Sequence, residues 1–131
     1  MMSKEEHIAY WITQSEDDWQ AVQTLFDGRK YLQCLFFAHL VIEKLCKALW
    51  VKHHEENIPP RTHNLLFLLD ATPLELEEEQ RNFLLRLNRF QLEGRYPDYQ
   101  RRMYQICTED FTQNLLDQTD QFAQCLRNEL P

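Results

Sequence analysis

Between Tyr31 and Glu55 the chain carries neither glycine nor proline, and Cys34, Leu35, Ala38, Val41, Ile42, Leu45 and Leu49 recur there at helical spacing. A helix with so broad an apolar arc is stable only when other elements cover it, so this segment is expected to be central. Its neighbours must be helices as well. Two glycines and five prolines in 131 residues are too few for the frequent turns of an all-β protein.

The length suits one domain, residues 1–131, and 44% apolar residues supply a packed core. Cys34, Cys46, Cys107 and Cys125 lie far apart without a C-x-x-C pair, against a zinc site or a dithiol redox motif. Neither a metal nor a cofactor is expected. The start, "MMSKEEHIAYW", has no apolar signal core, and "YLQCLFFAHLVI" is too short to span a bilayer, which points to a cytoplasmic protein. The net charge of −7 disfavours indiscriminate binding to nucleic acid or to an anionic membrane. That average hides a pattern. From Arg81 to Arg102, six arginines face only Glu93 and Asp98, a local +4, so the remainder carries −11 to reach −7.

The pattern predicts an antiparallel up-and-down bundle of four long helices and one short one. The first spans about Lys4 to Phe26, started by Ser3 and Glu6 as a capping box and ended by "DGRK" with Gly28. The second spans about Tyr31 to Glu55 and stops at "NIPPR". Thr62 is expected to cap the short third helix, "HNLLFLLD". The fourth spans about Glu75 to Leu92, acids in its first turn and arginines in its last, and Thr108 caps the fifth.

Three groups of polar residues stand out. The stretch "FQLEGRYPDYQRRMYQ" breaks the helical pattern and sets Arg95, Arg101 and Arg102 among Tyr96, Tyr99 and Tyr104. There Gly94 permits a left-handed cap and Pro97 fixes the exit, so Arg95 and Tyr96 are either a loop anchor or a phosphate and nucleotide contact. On the second helix, His39, Glu43 and Lys47 follow at i, i+4, with Phe36 and Leu40 beside them. They form either a polar line inside the bundle or part of a dimer cleft, and Phe36, Leu40 and Val51 share an arc suited to pairing two chains. His63 is expected to order the start of the third helix. His53, His54, Glu55 and Glu56 lack the i, i+4 spacing of metal ligands and are expected at the surface.

In their order, Trp19, "YLQCLFFAHLVIEKLCKALWV", "RTHNLLFLL" and "GRYPD" resemble the HEPN domains, over nearly the whole chain. HEPN domains are small helical domains often paired with minimal nucleotidyltransferases. The resemblance implies a helical bundle, usually dimeric. In RNase members it implies an Arg followed after four to six residues by a His, supported by a polar residue on the second helix. Arg95 matches the Arg and Glu43 the polar residue. The His would fall at Gln100, Arg101 or Arg102, and no histidine follows His63. Metal-free RNA cleavage needs a group of near-neutral pKa, which arginine does not supply.

The expected function is a nucleotide- or RNA-phosphate-binding module. Arg95, Tyr96, Asp98, Arg101, Arg102, Glu43, Lys47, His39 and His63 are its candidate contacts, and a homodimer and a separately encoded nucleotidyltransferase its candidate partners. The alternatives are a toxin-like RNase in which Glu43 or His39 replaces the missing base, and a purely structural dimerisation domain.

Overall fold

The computed structural model describes residues 1–93 and 95–131. Among these residues the chain forms six helices and no strand: α1 (Lys4–Asp27), α2 (Tyr31–His53), α3 (Leu65–Asp70), α4 (Glu78–Glu93), α5 (Pro97–Ile106) and α6 (Glu109–Asn128). None of them is long and apolar enough to cross a membrane.

Contacts at the helix ends give the directions. Lys4 at the start of α1 donates to the carbonyl of Val51 at 2.9 Å, near the end of α2, so these two helices are antiparallel. Asn88 of α4 reaches His39, and Arg95, just beyond α4, lies over Phe36 near the start of α2; that pair is antiparallel too. Phe83 packs on Phe122 and Phe90 on Phe111, which sets α4 against α6. Helices α1, α2, α4 and α6 therefore form an up-and-down bundle, with α3 and α5 as short elements in its connections. α2 is central, touching all five others. Its Leu35, Ile42, Leu45 and Leu49 are sealed from solvent, each contributing about 1.5–3 kcal/mol through burial.

The capping box at Ser3 and Glu6 forms as expected, and Thr108 caps α6 through the Phe111 amide. Several expectations are corrected. α3 is capped by Asn64, whose side chain accepts from the Phe67 amide; Thr62 instead accepts from the Asn64 amide. α4 begins at Glu78, three residues later than expected, because Leu74 and Leu76 pack on the core ahead of it. Its last turn holds no arginine. The stretch expected as a loop is mostly the helix α5. Pro97, with its fixed φ, stands at the start, Asp98 in the first turn, and Met103 is the buried anchor. The left-handed cap expected at Gly94 lies outside the described residues. Val51 is fully buried in the core, so of the arc proposed for pairing only Phe36 and Leu40 stay half-buried.

The end of α1 shows a local conflict. Gly28 has φ −82°, and the left-handed residue is Arg29, at φ 59°. The Arg29 amide bonds to the Phe26 carbonyl at 3.0 Å and the Lys30 amide to that of Leu25 at 2.8 Å, a Schellman turn with arginine where glycine fits best. Arg29→Gly is expected to raise stability by about 1 kcal/mol and the melting temperature by about 4 °C. An unchanged or lower melting temperature by calorimetry would show that the Arg29 side chain compensates.

Candidate functional site

The i, i+4 stripe on α2 points inward. His39, Glu43 and Lys47 are all buried, and a buried carboxylate is tolerable only with close partners. Glu43 has two. Lys47 Nζ donates to its Oε2 at 3.0 Å, and His63 Nδ1 donates to its Oε1 at 2.7 Å. The Lys47 ammonium also lies 5.3 Å from the Trp11 ring centroid, so α1 closes that side.

His39 bonds through Nε2 to the His63 carbonyl at 2.8 Å and more loosely to Asn88 Oδ1 at 3.3 Å. Both partners are acceptors, so Nε2 carries the hydrogen and Nδ1 keeps a lone pair. Nδ1 has no hydrogen-bond partner among the described residues and lies 3.7 Å from Glu43 Oε1. Burial pushes the His39 pKa down, against the pull of the Glu43 charge, and favours the neutral ring.

Asn88 completes the frame. Its Oδ1 also accepts from the Leu65 amide at 3.2 Å, and its Nδ2 donates to Asn64 Oδ1 at 3.2 Å. The segment leading into α3 is thus tied to α2 through His39 and Glu43, and to α4 through Asn88. His63 is held by this network and ties the segment before α3 to α2; capping of α3 falls to Asn64.

Above the network lies an open groove of about 340 Å³, lined by His63, Asn64, Asn88, Gln91, Leu92, Arg95 and Tyr96. The His63 side chain is half exposed there. With Nδ1–H given to Glu43, Nε2 is the ring nitrogen left without a hydrogen-bond partner among the described residues. Arg95 carries its guanidinium 6.0 Å from the Phe36 ring centroid and forms no ion pair among the described residues. Its planar donors therefore remain open to an anion. Tyr96 precedes α5 and leaves its ring exposed. Among the described residues no carboxylate lines the groove. Two other surface grooves are rimmed by acids, one by Glu77 and Glu79, the other by Asp27, Asp117 and Asp120, and suit anions poorly.

Of the residues singled out from sequence, His63, Arg95 and Tyr96 meet in this groove, with Glu43 directly behind His63. His39 and Lys47 stay beneath it and do not line it. Asp98, Arg101 and Arg102 lie on α5, exposed and outside the lining; Arg102 lies over the Tyr99 ring. Tyr104 accepts a hydrogen bond from Gln33 and fastens α5 to α2. Asn64, Asn88, Gln91 and Trp11 were not anticipated as site residues. A signal existed for two of them. Asn88 follows Leu84 by one helical turn and Gln91 follows Leu87 by one, polar residues on a stripe that is otherwise apolar. Among the described residues no group of three His, Cys, Asp or Glu side chains could hold a metal ion.

A family model, the HEPN domain, matches residues 8–129. Comparison with curated proteins and with solved structures found no match.

Proposed function

Since the chain belongs to the HEPN domain family, we propose that it acts as a binding module whose groove takes the phosphate of a nucleotide or of a short RNA end. The observation that carries this reading is the meeting of Arg95, Tyr96 and His63 in one groove without a carboxylate. Arg95 offers bidentate donors, Tyr96 a flat ring with a hydroxyl, and the −11 carried outside Arg81–Arg102 disfavours long polyanions. Calorimetric titration of ATP, GTP and a short oligoribonucleotide tests it. Dissociation constants below a millimolar are expected, and their absence for all three rejects the reading.

Two partners belong to the same proposal. The half-buried Phe36 and Leu40 of α2 offer a face for a second copy, and sedimentation at the mass of one 16.0 kDa chain at micromolar concentration would remove it. The pairing of this family with minimal nucleotidyltransferases makes such an enzyme the first protein partner to test by co-purification.

The Glu43–His63 bond favours a second reading, a metal-independent ribonuclease. His63 Nε2 would take the proton of a 2′-OH as it attacks phosphorus, Glu43 would hold the ring, and Arg95 would face the phosphate. Binding alone is favoured over this, because the leaving oxygen needs a proton and Arg95 gives one up poorly. RNA incubated with the protein is expected to stay intact. Cleavage that disappears in His63→Gln protein, with ATP binding retained, would establish the nuclease instead.

A further inference from the structure

We propose that Gln91 reads the base of the bound nucleotide and selects adenine, an inference that rests on the phosphate-binding reading of the same groove. Three carboxamides line this groove, and two of them are committed to the fold. Asn88 is used by His39, the Leu65 amide and Asn64; the Asn64 oxygen is used by Asn88 and the Phe67 amide. Gln91 differs. It is 4% exposed, lines the groove, and its Oε1 has no hydrogen-bond partner among the described residues.

A buried amide oxygen without a partner is uncommon in a folded chain and calls for one. The terminal torsion of glutamine is broad, and turning Oε1 toward the groove breaks no hydrogen bond at that atom. A carboxamide then presents an acceptor beside a donor. That pair matches the N6 amine and N7 of adenine, the bidentate contact that glutamine makes with this base. Guanine shows two acceptors on the same edge, O6 and N7, and sets one of them against the amide oxygen. The surrounding groove fits a base as well. Leu92 and the exposed Tyr96 ring give it apolar walls, and Arg95 stands in the same lining to meet the phosphates.

Calorimetric titration of ATP, GTP and tripolyphosphate into wild-type and Gln91→Leu protein tests this. Wild-type protein is expected to bind ATP at least about tenfold more tightly than GTP. Gln91→Leu should bring the two together and leave tripolyphosphate binding as it was. Equal wild-type affinities for ATP and GTP, both lost in Arg95→Ala protein, would overturn the selection of adenine and leave the phosphate-binding function standing. Tripolyphosphate binding as tightly as ATP would do the same. No binding of any of the three would overturn both. The wild-type comparison decides the matter even if Gln91→Leu protein does not fold.

Discussion

Replacing Arg95 with alanine is expected to weaken ATP binding roughly tenfold to a hundredfold while the folding transition stays where it was. A charge-assisted hydrogen bond contributes about 1.5–3 kcal/mol, and each 1.4 kcal/mol is about tenfold in affinity. Arg95 stands over the Phe36 ring and forms no ion pair among the described residues, so the fold loses little with it. Arg95→Lys should fall between wild type and alanine, since an ammonium keeps the charge and loses the planar fork. The measurements are calorimetric affinities beside urea midpoints. An alanine variant that binds ATP as wild type does would show that the groove takes no phosphate through this residue. A midpoint that drops sharply would instead make Arg95 a structural anchor.

Glu43→Ala is expected to have the opposite profile, a loss of about 3–5 kcal/mol in folding stability. Removing the carboxylate leaves the Lys47 ammonium and His63 Nδ1–H without the oxygens they use at 3.0 and 2.7 Å. The segment leading into α3 is also released from α2 at one of its two ties. Urea denaturation would show this as a lower midpoint with an unchanged slope. A loss under 1 kcal/mol would mean that water replaces the carboxylate.

The same cluster carries a pH dependence whose sign follows from His39. In the unfolded chain this ring takes a proton near its ordinary pKa of about 6.5, whereas in the fold burial holds its pKa lower. Between those two values the unfolded state binds more protons, so stability rises with pH. The contribution is complete above about pH 6.5 and is lost as the pH falls from there towards the lowered folded pKa. Urea midpoints at pH 7.5 and pH 5.5 should therefore differ more in wild type than in His39→Gln protein. Equal differences would place the pH dependence elsewhere.

Much of this molecule is set by local chemistry and was legible in the chain. Ser3 with Glu6 and Thr108 start α1 and α6 through hydrogen bonds within a single turn. The apolar arc from Cys34 to Leu49 makes α2 central whatever surrounds it, because only burial on several sides satisfies it. The ordered segments from Trp19 to Asp98 likewise pointed to the HEPN family that matches residues 8–129. The groove was legible in part, through the arginine and tyrosine that follow Gly94.

Only the tertiary structure decided the rest, because it depends on groups far apart in the chain. The i, i+4 order of Glu43 and Lys47 was visible, but His63 as the second partner of Glu43 depends on how the chain returns from "NIPPR" across α2. Asn88 and Gln91 sit one helical turn apart, yet one has three hydrogen-bond partners and the other keeps an oxygen with none among the described residues. Their own sequence neighbourhood does not distinguish them, since satisfaction of a polar group is a property of what packs against it. α5 was missed for a related reason. Its single buried residue, Met103, makes too narrow a stripe to signal a helix until α2 and α4 offer the surface on which it rests.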